Sequence, residues 1–185
     1  MGSEMCIRDR PTTEELDHDF LWRVHKEVPA KGQIAIFNRS HYEDIIAVRV
    51  KKIFPDPVWK RRYKHVLDFE SMLAEEGTVI IKLFLNISKE EQKKRLESRL
   101  QDPDKLWKFC MDDLDDRNRW DEFQTAYQDL IEKTSTPEAP WYIIPADRKW
   151  YRNLVVARLM VEKLRHLQLS LPTPNFDPAS IIIPD

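Results

Sequence analysis

Apolar residues recur along this chain with two periods. Ile34 to Phe37, Val79 to Leu85 (VIIKLFL) and Trp141 to Ile144 are short, mostly apolar runs that read as buried β-strands. Between them, apolar residues return every three or four positions, as on one face of a helix. Thr12 with Glu15 forms a capping box ahead of Leu16, Phe20, Val24 and Val28; Pro29 ends that helix, and Lys31-Gly32 turns into the first strand. Ser40 with Glu43 predicts a second capping box and a helix carrying Tyr42, Ile45, Ile46 and Ala47 inward. Asp56-Pro57 opens a third helix with Trp59, Tyr63, Val66 and Leu73 on one stripe, and Gly77 stops it.

Ser88 with Glu91 caps a fourth helix, which Asp102-Pro103 breaks. One long helix from about Met111 to Lys133 buries Trp120, Phe123, Tyr127 and Leu130. The last helix, from Asp147, buries Trp150, Leu154, Ala157, Val161 and Leu164. Prolines after Leu171 predict an extended tail. Helices alternating with short apolar strands argue for an α/β fold, a parallel sheet with helices on both faces.

Composition narrows the class. At 185 residues the chain suits one domain, and a net charge of −2 does not suggest a nucleic-acid binder. No apolar run approaches the ~20 residues needed to span a bilayer. With Cys6 and Cys110 alone, neither a disulfide framework nor a cysteine zinc site is expected, and the cytoplasm is the default location. Met1 to Arg10 (MGSEMCIRDR) has no periodicity and is expected to be a foreign or disordered leader outside the fold.

The strand ending Ile36-Phe37-Asn38-Arg39-Ser40 places polar residues at its carboxyl end, where open α/β sheets bind ligands. IFNRSHYEDIIAVRV resembles the Walker-B-like strand-to-helix segment of the polyphosphate kinase 2 family. HDFLWRVHKEVPAKG, FLNISKEEQKKRLESRL and STPEAPWYIIPADRKWYRNL match the same family, so the resemblance spans about Pro11 to Pro178. It implies a P-loop kinase-like parallel sheet with a helical lid at about 88–133, a partial domain over 11–178 and a tail at 179–185. The implied activity is phosphoryl transfer between inorganic polyphosphate and a nucleotide (AMP/ADP or GMP/GDP), with Mg²⁺. The Asn-Arg-Ser-His-Tyr-Glu form resembles the branch that phosphorylates both nucleoside mono- and diphosphates. No nucleic acid or membrane partner is implied, and self-association stays open.

One part of the family pattern is absent. A phosphate loop needs glycines and a lysine, whereas Gly2, Gly32 and Gly77 are the only glycines and none lies near another. The family's GxDxxGK loop and its central Walker A strand are therefore expected to be missing. The Ile34 and Val79 strands should then pair with each other or leave a slot between them, with activity nil or residual.

Basic residues carry the rest. Arg49, Lys51, Lys52, Lys60, Arg61, Arg62 and Lys64 face Asp56 alone within their segment. Such a run is either a solvated helix face or a polyanion track. Arg95 and Arg99 lie four apart and should point the same way, with Lys108, Arg117 and Arg119 nearby. The resemblance makes Arg39, Arg95 and Arg99 catalytic clamps, and Asn38, Lys52, Arg61, Arg62, Lys108 and Arg117 substrate-binding. Arg39 alternatively pairs with a lid carboxylate. Asn38 stands where other branches have a metal-binding aspartate. Glu43 and Asp44 could supply that charge, or Glu43 could serve only the capping box. His41 reads as a neutral hydrogen-bonding residue rather than a base, since phosphoryl transfer needs little acid–base help. A non-catalytic polyanion-binding module or a pseudoenzyme is the alternative class.

Overall fold

The structure is a computed structural model that describes residues 2–6, 11–167, 169, 175–177 and 180–181. The four prolines of the expected tail, Pro172, Pro174, Pro178 and Pro184, lie outside the described residues, as do Met1 and residues 7–10. The order is β1 (Gly2–Cys6), α1 (Thr13–Asp17), α2 (Trp22–His25), β2 (Ile34–Asn38), α3 (Glu43–Val50), α4 (Asp56–Glu75), β3 (Lys82–Asn86), α5 (Lys89–Gln101), a 3-10 turn (Pro103–Lys108), α6 (Asp112–Asn118), α7 (Trp120–Thr134), β4 (Trp141–Pro145) and α8 (Lys149–His166).

The parallel α/β class holds, but the sheet is in two pieces. β1 pairs with β2, and β3 with β4, both in parallel. No ladder joins β2 to β3 among the described strands, so the two do not close up on each other. The leader also differs from expectation: Gly2–Cys6 runs alongside β2, Gly2 opposite Ile34 and Cys6 opposite Asn38. A β-ladder asks only for extended backbone with free donors and acceptors, so an aperiodic segment can join one.

The core lies where α3, α4 and α7 meet. Ile45, Ile46, Val48 and Val50 of α3 pack against Trp59, Tyr63 and Val66 of α4 and Ala126 and Leu130 of α7. Each fully buried side chain of the Val or Leu kind contributes about 1.5–3 kcal/mol. A smaller cluster of Val24 and Phe69 draws in Phe37 from β2. α7, which falls within the expected lid range of 88–133, therefore contributes to the core. The less buried part is α5, the 3-10 turn and α6, where Leu96 is the one buried residue.

Several boundaries moved for local reasons. The Thr12–Glu15 capping box forms, yet the helix stops at Asp17, because Leu16 is 68% exposed and Asp19 Oδ1 accepts a hydrogen bond from Leu21 N. A side chain that bonds its own backbone competes with the helix. Ser40 makes no capping box: its Oγ accepts weakly from Tyr42 N at 3.4 Å, and α3 starts at Glu43. The long helix breaks at Arg119 into α6 and α7. β2 is not buried on both faces, since Ile36 is 61% exposed. Nor does α8 bury its stripe; Trp150 is 64% exposed and no residue of α8 is buried.

Candidate functional site

The carboxyl end of β2 carries Asn38 and Arg39, both exposed. Arg39 has φ +70°, a left-handed conformation that costs an L-residue about 1–2 kcal/mol. Its side chain makes no hydrogen bond and no ion pair among the described residues. The expected salt bridge from Arg39 to a lid carboxylate is therefore not formed. Lys52 also has a positive φ, but there the helix end explains it, since Ile53 N donates to Val48 O across the turn after α3.

Glu43, the first residue of α3, sits near Arg39 in a shared field. Burial raises the Glu43 carboxyl above its ordinary value, Arg39 and Lys51 pull it down, and Asp44 and Asp116 push it up. The Tyr127 phenol is also raised, by burial first and then by Glu43 and Asp116, with Arg39 opposing. Lys51 Nζ lies 2.8 Å from Asp116, which ties α6 to the end of α3. Asp44 is committed elsewhere: Arg23 donates to its carboxylate at 3.4 Å and Arg62 to its carbonyl at 2.5 Å. Burial raises the Asp44 carboxyl even so, with both arginines opposing.

The lid arginines share a helix face but not a target. Arg95 donates to Glu91 at 2.8 Å and to the Ala146 carbonyl at 2.6 Å, closing α5 onto the turn between β4 and α8. Arg99 pairs with Asp113 of α6 at 3.2 Å. Arg117 donates to Lys89 O and Gln92 Oε1, and Arg119 to Val50 O at the end of α3. No hydrogen bond or shared ion-pair partner joins Arg39 to Arg95 or Arg99.

The basic run is largely neutralised. Arg49 bonds Asp129 at 2.6 Å, Lys60 bonds Asp56, Lys64 bonds Asp68, and Arg62 stacks on Phe20 beside Asp44. Among the described residues, the side chains of Lys52 and Arg61 are the two in the run that make neither a hydrogen bond nor an ion pair. Lys108 lies over the Trp107 ring, 5.0 Å from its centroid.

A charged centre that the sequence reading did not single out lies beneath the β2–α3 turn. Lys82, at the start of β3 and 6% exposed, donates to Glu70 Oε2 at 2.7 Å, Thr134 O at 2.6 Å and Tyr42 Oη at 3.0 Å. Tyr42 Oη donates to Glu70 Oε1 at 2.6 Å, and Glu70 is 3% exposed. His41 Nε2 lies 3.5 Å from Glu70 Oε1 without a hydrogen bond. Burial pushes the Glu70 carboxyl up, but the His41 ring, the Lys82 ammonium and the Tyr42 hydroxyl outweigh it and hold it below its ordinary value. Burial lowers the Lys82 ammonium, against Glu70. The sequence held a signal for this pair. Glu70 falls four residues after Val66 on the apolar stripe of α4, and Lys82 interrupts an apolar strand. Opposite charges that each break an apolar pattern are candidates for one another.

Magnesium is the implied metal, and the residues present do not make a site for it. Asp44 serves two arginines, Glu43 is a single carboxyl whose charged form burial disfavours, and no group of three or more potential ligands occurs among the described residues.

Residues 4–171 match the sequence model of the Polyphosphate kinase 2 (PPK2) family, so the match reaches into the segment expected to be a leader. The chain is similar to the AMP/ADP-polyphosphate phosphotransferase of Meiothermus ruber, 54% identical over 173 residues, which covers 94% of this chain and 65% of the relative. It is also similar to the ADP-polyphosphate phosphotransferase of Rhodopseudomonas palustris, 38% identical over 183 residues, 92% of this chain and 63% of that one. The crystal structure of Polyphosphate Kinase 2 from Arthrobacter aurescens TC1 superimposes with a TM-score of 0.92 at 47% identity, over 97% of this chain and 63% of that chain. The chain thus spans a little under two thirds of the length of these relatives. With strands, turns and helices laid out in the same order as in that solved structure, the chain belongs to the polyphosphate kinase 2 family.

Proposed function

We propose that this chain serves phosphoryl transfer between inorganic polyphosphate and nucleoside mono- or diphosphates, with adenine or guanine nucleotides as acceptors. The observation that carries the reading is Arg39. It is exposed, held in a left-handed conformation and, among the described residues, left without a side-chain hydrogen bond or ion pair at the tip of β2, the position at which open α/β sheets bind ligands. A guanidinium in that state has its planar donor fork available to phosphate oxygens. Positioning and charge neutralisation carry most of such a transfer. Arg95, Arg99 and Arg117, now bonded within the protein, would join Arg39 only after exchanging those partners. Asn38, Lys52, Arg61 and Lys108, all exposed, remain the proposed outer contacts for the phosphate chain; Arg62, bound to Asp44, is weaker in that role. We assign the reaction to the cytoplasm and leave self-association within the proposal. No helix among the described residues is long and apolar enough to cross a membrane.

Three glycines supply no phosphate loop, so turnover by these 185 residues alone is proposed to be nil or residual. The test therefore reads binding as well as rate. Tripolyphosphate is titrated into the chain and into Arg39→Ala, alongside assays for ADP and ATP formed from polyphosphate. Binding weaker by about tenfold in the variant is expected for the loss of a charge-assisted pair. Equal binding would overturn the site. A non-catalytic polyanion-binding module is the second reading. It predicts binding that depends on the Arg49–Lys64 run, where most cations already have protein partners.

A further inference from the structure

The Lys82–Glu70 pair poses a physical question. Two charges taken out of water are rarely more stabilising than apolar side chains of the same volume. What a buried pair adds is direction, because its bonds fix which atoms meet. Here each polar side-chain atom of Lys82, Glu70 and Tyr42 is bonded. The Lys82 ammonium spends its three protons on Tyr42 Oη, Glu70 Oε2 and Thr134 O, and Glu70 Oε1 takes the Tyr42 hydroxyl proton. Thr134 is the last residue of α7, whose final carbonyls lack helical partners and favour a cation. Four elements thus converge on one nitrogen: the start of α3, α4, β3 and the end of α7.

Of the side chains between Arg39 and Glu43, Tyr42 is the one bonded into this centre. Beside it, His41 Nε2 lies 3.5 Å from Glu70 Oε1 and Arg62 donates to the Asp44 carbonyl at the far end of the turn, whose own bonds are Glu43 N to Ser40 O at 2.9 Å and Asp44 N to His41 O at 3.2 Å. Arg39 itself is strained, and its side chain makes no hydrogen bond or ion pair among the described residues that would hold it. A strained residue persists only where its surroundings over-determine it. We propose that the buried Lys82–Glu70 pair is a positioning device: through the Tyr42 hydroxyl it holds the β2–α3 turn, and with it Arg39, in one geometry. The consequence for phosphate binding rests on the proposed role of Arg39; the positioning itself does not.

Tyr42→Phe removes the hydroxyl and keeps the ring in the core. In the 185-residue chain, amides of Ser40 to Asp44 should exchange with deuterium about tenfold faster in this variant, while those at the centres of α4 and α7 keep their rates. Tripolyphosphate should bind several-fold more weakly. A second variant, Lys82→Met with Glu70→Leu, replaces the pair by apolar volume and should give the same local loosening in a folded protein. Unchanged turn amides in both variants would overturn the proposal. So would acceleration of all amides together, the mark of a merely stabilising contact. If Arg39→Ala binds tripolyphosphate as well as the parent chain does, the functional reading fails, and the exchange pattern still decides the positioning role.

Discussion

α4 treats charge in opposite ways on its two sides. On the outer side Lys60 and Lys64 pair with Asp56 and Asp68 one helical turn away, in open solvent. On the inner side Glu70 occupies an apolar position and meets Lys82 from β3, with both groups almost fully buried. The outer pairs are neighbours in sequence and weak; the inner pair is made by the fold and committed. A count of charges along the chain sees the first kind and misses the second. It also misjudges the first, because Asp44, Asp116 and Asp129 arrive from other elements to neutralise the basic run.

The largest test of this contrast removes one inner partner. Lys82→Met strands the Glu70 carboxylate and should cost about 3–5 kcal/mol in urea unfolding, whereas Lys82→Met with Glu70→Leu should recover most of it. Equal losses in both would mean that packing alone matters there. Asp44→Ala comes next: it leaves Arg23 and the half-buried Arg62 without their carboxylate, and a loss of about 1–3 kcal/mol is expected. Glu43→Gln should act in the opposite direction. Burial raises the Glu43 carboxyl, so the folded state binds its proton more tightly than the unfolded one. That carboxyl lowers stability as pH rises through the carboxylate range, and removing the charge should lift the neutral-pH melting temperature by about 2–4 °C. The gain should disappear in acid, where Glu43 is neutral in both states; a gain that persists there would point to packing. The smallest effect belongs to the outer side. Lys64→Ala should change stability by no more than about 0.5 kcal/mol, and a loss well above that would erase the distinction between the two faces.

Glu70 also divides the pH response. Its carboxyl is held below the ordinary value, so its share of stability is present above the unfolded value and is lost as pH falls through the folded one. Glu43 and Asp44 oppose this trend. Acid unfolding of Tyr42→Phe, which gives up one bond to Glu70, should therefore begin at higher pH than in the parent chain.

Much of the fold was legible because it rests on local chemistry. The capping signals at Thr12 and Ser88, the Asp102-Pro103 break and the turn at Gly32, with φ +81°, all act within a few residues. The β2 tip was legible as well, since an apolar run ending in Asn-Arg-Ser implies a strand end. The Ser40–Glu43 box failed because the spacing suited two conformations, and the chain took the one that lets Tyr42 reach Glu70. The α8 stripe failed because periodicity states which face could be covered, not whether anything covers it. Arg95 and Arg99 share a face by spacing, yet Ala146 and Asp113 draw them apart.

What the sequence alone determined was the order of β2, β3 and β4 and of the helices around them, the parallel α/β class and the family likeness, since each follows from short-range period and residue type; it did not find β1. Tertiary structure alone decided which charges meet. An ion pair needs two groups within a few ångströms, and only the folded chain brings Lys82 beside Glu70 and Asp44 between Arg23 and Arg62, while leaving the Arg39 side chain without an ion pair among the described residues.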